Sequence, residues 1–147
     1  MIPIRFLVHH YEHARAALLA AKRENVRAVL VCAPQTAAFA GVRIAAKMML
    51  EAQKETQNDA CALVVDCGQS VGAALAAIAL KRVGVYTALT GGVYDMLSDA
   101  ARKNGVRIEN APFEALDLNA RAHWQSACRD YILRMRGNDE AECVLGD

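Results

Sequence analysis

Aromatic residues make up only 5% of this 147-residue chain, so its interior cannot be built around large rings. The filling must come from Val, Leu, Ile and the 29 alanines, which favour helices and let them pack close to their neighbours. Charge of one sign is also missing: 17 Lys and Arg stand against 16 Asp and Glu, a formal net charge of +1. Neither sign dominates any long stretch, which argues against a nucleic-acid surface, because that would need a basic stripe or patch. No run approaches the ~18 consecutive apolar residues of a membrane span. Residues 1–10 lack the long apolar core and small-residue cleavage site of a signal peptide. The five cysteines, Cys32, Cys61, Cys67, Cys128 and Cys143, are odd in number and form no C-x-x-C pair. They read as reduced thiols of a cytoplasmic protein.

What is present speaks for order. Hydrophobic residues at 54% and charged residues at 22% fit a folded chain, and the length suits one domain with a real core. Five short apolar runs, at 4–8, 28–32, 62–66, 85–89 and 106–108, alternate with helical stretches. Their near-continuous apolar character suits strands covered by helices. The helices are expected at about 11–24, 37–56, 70–82, 93–104 and 119–136. A polar, acidic tail is expected over 137–147, after a single domain over 1–136. The order βαβαβαβαβα implies right-handed crossovers and a mostly parallel sheet. The expected fold is α/β: a three-layer α/β/α sandwich with five strands, flavodoxin-like or Rossmann-like. A fragment of a (β/α) barrel completed by oligomerisation is the alternative, since a whole barrel needs about 250 residues.

A recurring helix exit supports the alternation. Lys22-Arg23-Glu24-Asn25-Val26 is echoed by Lys81-Arg82-Val83-Gly84-Val85 and by Arg102-Lys103-Asn104-Gly105-Val106. Each places a basic pair at the negative end of a helix dipole, then an Asn or Gly suited to a left-handed cap. The second helix leaves through a looser Gln57-Asn58-Asp59.

Ligands of open parallel sheets bind beyond the carboxyl ends of the strands. Five loops lie there: His9-His10, Cys32-Ala33-Pro34-Gln35, Asp66-Cys67-Gly68-Gln69-Ser70, Thr90-Gly91-Gly92 and Glu109-Asn110. Asp66, Cys67, Gly68, Gln69 and Ser70, facing Thr90, Gly91 and Gly92, are the candidate ligand-binding residues.

Gly68-Gln69-Ser70-Val71-Gly72 matches G-x-S-x-G between an apolar strand and an alanine-rich helix. It resembles the nucleophile elbow of the α/β-hydrolase family, over about ten residues. That resemblance implies Ser70 as nucleophile, with Asp95 or Asp99 as the acid and His123 as the base. His123, however, falls within the last expected helix, where the family has a loop. The simpler reading makes Ser70 the amino cap of the third helix. An anion held by that helix terminus is a further reading, opposed by the charge of Asp66 and the lack of a P-loop lysine.

His9, His10 and His13 surround Glu12, and His9 with His13 is a candidate metal pair if the first helix begins early, with Cys32 or Asp66 as a further ligand. The plainer reading leaves one histidine near the strand end and the others on a solvated first turn. Cys32 and Cys67 sit where a helix amino end can stabilise a thiolate, though buried cysteines at strand ends usually act as small apolar groups. Cys61 and Cys128 read as structural.

The third helix, residues 71–80, is apolar nearly all round and must be covered. The cover is either the last helix, through Trp124, Cys128, Ile132 and Met135, or a second subunit. The second option makes a homo-oligomer. The leading functional expectation is a module binding a small polar or anionic ligand at the carboxyl edge. A small serine hydrolase and an oligomerising structural protein are the alternatives. No cofactor is identified.

Overall fold

Three strands form where the apolar runs place them: β1 Ile4–Val8, β2 Ala28–Cys32 and β3 Ala62–Asp66. The computed structural model describes residues 3–145. The remaining strands are β4 Gly84–Tyr86, β5 Ile108–Glu109 and β6 Leu116–Asp117. The helices are α1 Tyr11–Arg23, α2 Pro34–Ala40, α3 Val42–Thr56, α4 Val71–Leu80, α5 Gly91–Lys103 and α6 Trp124–Leu145, with a 3₁₀ turn at Leu118–Ala120. The six strands are all parallel, in the order β5-β4-β3-β2-β1-β6.

The α/β class, the alternation and the parallel sheet are therefore as the sequence implies. Their details differ for local reasons. The long second helix divides at Gly41, whose φ of +87° breaks the turn between α2 and α3. The fourth strand stops at Tyr86 because the Thr87 side chain and the Ala88 amide turn to Gly68 O instead. Val106 is taken by a helix exit, its amide donating to Ala101 O at 2.8 Å, so β5 begins only at Ile108. The short β6 carries no periodic signal. It exists because Phe6 and Leu7 pair with Leu116 and Asp117 on the far side of β1. Residues 137–145 prolong α6 as helix.

Strands β1 to β5 follow one another in space in chain order, and right-handed crossovers between such strands put their helices on one side. The contacts agree. The helices form one row, α6-α1-α3-α4-α5, rather than dividing between two layers as in a sandwich. On the helix side Phe6, Leu30, Val65 and Val85 are buried. Alanines on α1 (Ala14, Ala17, Ala21) and on α3 (Ala45, Ala46, Ala52) are buried between the helices and the sheet. Such small side chains allow the short end of the usual interaxial distance, ~8 Å. The terminal helix packs on α1 and β1, with Tyr131 edge-on to Phe6 at 5.8 Å. It does not cover α4, which lies between α3 and α5, so one of the two expected covers is absent.

The other face of the sheet is concave. In a flat sheet β1 and β5 would lie ~19 Å apart, four spacings of ~4.8 Å. That exceeds the combined reach of an arginine and a glutamate. Yet Arg5 Nη2 on β1 lies 3.6 Å from Glu109 Oε2 on β5. The sheet must coil. Residues 110–115 then cross the hollow, with Phe113 set edge-on to Tyr86 at 4.8 Å and beneath the Arg5 guanidinium at 5.3 Å. This coiled sheet with helices outside is closer to an open (β/α) barrel segment than to a flat sandwich.

The repeated helix exits close largely as expected. Asn25 and Gly105 take positive φ of 53° and 68°. After α4 the left-handed residue is Lys81 itself, at φ 58°, while Gly84 opens β4 where a Cβ would come 3.3 Å from Val64 Cγ2. Replacing Lys81 by Gly removes the left-handed penalty at some cost in chain entropy. Lys81→Gly is expected to stabilise the fold by about 0.5–1 kcal/mol in urea denaturation.

Candidate functional site

Alternation along the strands decides what faces the hollow. From β1 come Arg5 and Leu7, from β2 Val29 and Val31, from β3 Val64 and Asp66, from β4 Tyr86, and from β5 Glu109. The apolar members occupy the middle of the central strands. Polar groups occupy the carboxyl ends, where His9 and Asp117 join them.

His9 is fixed from three directions. Its amide donates to His13 Nδ1 at 3.1 Å, its carbonyl accepts from Thr36 Oγ1 at 2.9 Å, and its Nε2 lies 2.7 Å from Asp117 Oδ1. With Asp117 ionised, Nε2–H donates to that carboxylate and Nδ1 is left as an acceptor. A held imidazole of this kind can accept a hydrogen bond or a proton from a bound molecule.

Behind it, His13 is 1% exposed and packed between His10, at 3.7 Å between ring centres, and the edge of Trp124, at 4.6 Å. Burial, reinforced by His10 and His9, lowers its pKa from 6.5 to about 4. The two rings, His9 and His13, stand nearly perpendicular with centres 5.7 Å apart. His13 Nδ1 is spent on the His9 amide, and His9 Nε2 on Asp117. Among the described residues no group of three or more His, Cys, Asp or Glu side chains is arranged to hold a metal ion.

Asp66 ends β3 and folds back on its own loop, its Oδ1 accepting the Gly68 amide at 2.8 Å. Burial lifts its pKa above the ordinary value, and the Gly68 hydrogen bond partly opposes the rise. Burial, with Asp66 nearby, also lifts the Tyr86 hydroxyl. Gly68, at φ +56°, turns the chain so that its carbonyl accepts from the Ala88 amide at 2.8 Å and from Thr87 Oγ1 at 3.1 Å. Thr87 is fully buried and ties the third and fourth loops together.

Ser70 caps α4, its Oγ accepting the Ala73 amide at 3.0 Å. A cavity of about 500 Å³ beside it is lined by Asp66, Cys67, Ser70, Ala73 and Ala76 on one side and by Pro34, Ala37 and Val42 on the other. No histidine lines it. His123 lies in a different hollow beyond β6, with Arg121 and Ser126, and β6 is three strands from β3. Asp99 is paired with Arg102 and Lys103 on its own helix. The geometry does not bring these groups to Ser70. Gln69 is exposed, and Thr90, Gly91 and Gly92 open α5 outside the cavity walls.

Cys32, Cys67 and Cys128 are buried, and burial pushes each thiol up to about 12. Cys61 is buried and raised in the same way. Burial of this kind disfavours the thiolate, and the four side chains pack as small apolar groups. The Cys143 side chain lies outside the described residues.

Sequence reasoning finds Asp66, the serine cap and the histidines, but misses Arg5, Thr36, Tyr86, Thr87 and Asp117. Arg5 has a signal: a charge inside an apolar strand run. Asp117 has none, since its strand is defined only by pairing.

No protein-family model and no curated protein matches this chain. A solved structure similar to it is that of a "putative fructose-1,6-biphosphate aldolase" from Coccidioides immitis, with a TM-score of 0.61 and 14% sequence identity. The match covers 73% of this chain and 40% of the other, so the chain spans less than half of that protein. At this identity the likeness is one of fold.

Two outcomes test the assignments of Ser70 and His13. Ser70→Ala is expected to cost about 1 kcal/mol and Ser70→Gly a few tenths, measured by urea denaturation. For His13 the folded pKa lies below the unfolded one, so its contribution is present above pH 6.5 and is lost as pH falls towards about 4. Between pH 7 and pH 5 the chain should lose about 1–2 kcal/mol more stability than His13→Gln.

Proposed function

We propose that the protein binds a small, hydroxyl-bearing polar molecule at the carboxyl end of the concave face. The observation that carries this reading is the set of inward-facing polar side chains there: His9, Asp66, Tyr86, Glu109 and Asp117. Packing alone would favour apolar groups at such positions, because a polar group facing a hollow contributes little to a core.

The charges choose between a neutral and an anionic ligand. Asp66, Glu109 and Asp117 are acidic, and the one strand-borne cation, Arg5, is already 3.6 Å from Glu109. The Gly68 amide, which would greet an anion at the start of α4, is taken by Asp66. A neutral polyol or sugar therefore fits better than a phosphate. His9 Nδ1 and the free oxygens of Asp66 and Asp117 would accept from its hydroxyls. The name of the similar protein from Coccidioides immitis points to a phosphorylated sugar, which makes the sugar phosphate the natural competitor in a test.

The experiment is a thermal-shift panel of neutral sugars and polyols against sugar phosphates, fructose 1,6-bisphosphate included, with native mass spectrometry of the purified protein. A neutral polyol should raise Tm, and His9→Ala or Asp66→Asn should weaken its binding at least tenfold, about 1.4 kcal/mol. Stabilisation by the phosphorylated members alone would reverse the charge argument. No shift with any member, together with a bare mass, would sink the binding reading.

A further inference from the structure

Helix α4 has no charged residue along its ten positions, and one face of it is open. Gly72, Leu75, Ala76 and Ala79, spaced at i, i+3, i+4 and i+7, are the exposed positions. Leu75 is 42% exposed; on the adjoining helices Ile44 of α3 is 61% and Met96 of α5 is 51% exposed. Small residues along the centre of this strip would let another helix come close.

The charges beside the strip show what fits it. Arg43 and Lys47 stand on the amino half of α3, in a groove of about 880 Å³ between it and Leu80 of α4. The groove's other charged groups, Glu51, Lys54, Asp59 and Arg82, are of mixed sign and lie towards the carboxyl ends of the two helices. Asp95 stands on the amino half of α5 and is exposed. Among the described residues none of these three has an ion-pair partner. Since α4 lies between α3 and α5, a two-fold axis along α4 lays α3 of one copy over α5 of the other. Arg43 and Lys47 then meet Asp95 of the second molecule, twice by symmetry. The alternative axis, across α4, sets α5 on α5 and α3 on α3. It opposes Asp95 to Arg102 and Lys103, which Asp99 already engages, and Arg43 and Lys47 to a carboxyl half of α3 where Lys54 offsets Glu51 and Arg15 holds Glu55.

We propose that two copies of this chain associate through α4, about a two-fold axis running along that helix. The apolar strip supplies the contact, and the flanking charges set the orientation.

Light scattering after size exclusion, with sedimentation velocity over a dilution series, tests this. The intact protein should run at twice its 15.9 kDa subunit mass and dissociate on dilution. Ala76→Glu puts a good helix former at an exposed position, so circular dichroism should be unchanged while the dimer is lost. Lys47→Glu or Asp95→Lys alone should weaken association about fivefold to tenfold, and the two together should restore it. A monomer at every concentration would overturn the proposal, as would a dimer indifferent to Ala76→Glu. A dimer weakened by both single charge reversals but not rescued by the pair would overturn the orientation. If Ala76→Glu loses helix, the charge reversals decide alone.

Discussion

Right-handed crossovers between strands laid down in chain order leave every helix on the same side of the sheet, and the rest of this structure follows from that handedness. Among the described residues there is no second helix layer, and the opposite face has to find its own cover. Two things supply it. The sheet coils until Arg5 of β1 reaches Glu109 of β5, and residues 110–115 are drawn across the hollow with Phe113 between Arg5 and Tyr86. The span is close to the limit. Seven residue steps at ~3.5 Å reach ~24 Å, about the five strand spacings that separate β5 from β6 in a flat sheet. A crossing this short leaves a flat sheet no slack and suits a curled one.

That geometry explains why polar groups are tolerated at the carboxyl ends of the strands. The hollow is partly open, so Asp66 and His9 keep some contact with water, and each also has a local partner: the Gly68 amide for Asp66 and Asp117 for His9. Burial without such partners would cost ~1–3 kcal/mol per group. The helix side is treated differently. Its buried positions are apolar apart from His13, Thr56, Asn58 and Thr87. Asn58 there spends its amide on Leu18 O at 2.8 Å, and Thr56 its hydroxyl on Ala52 O at 2.8 Å.

How much of this was legible depends on the range of the interaction that fixes each part. Local signals were readable. The apolar runs place β1 to β3 to the residue, and Ser70 caps its helix because G-x-S-x-G offers a short polar side chain just before an alanine run. Long-range pairing was not readable. Leu116 and Asp117 become a strand only by lying beside Phe6 and Leu7, more than a hundred residues earlier, and Asp117 is drawn to His9 by the same pairing. Layering was hidden for a related reason. Alternating strands and helices fit both a flat sandwich and a coiled open barrel, and the side chains that decide between them, Arg5 and Glu109, meet only in three dimensions. Alanine conceals its own role too: Ala77 is buried and Ala76 exposed on neighbouring positions of α4, with nothing in their chemistry to tell them apart.

The consequence is concentrated on β1. Its even positions, Ile4, Phe6 and Val8, are buried under α1 and α6, while Arg5 clamps the coiled sheet and His9 closes the strand as the fixed imidazole. The carboxyl-terminal part of the chain depends on it, since β6 pairs with it and α6 packs on it. A change at Phe6 therefore loosens α6 through Tyr131 and, one residue along the same backbone, the pairing that positions Asp117 against His9. Stability and the candidate site are thus coupled through five residues. The loops at Ser70 and Thr90 are attached to β3 and β4, away from this strand, and the first reaches the candidate site by a separate route, the Gly68 amide that holds Asp66.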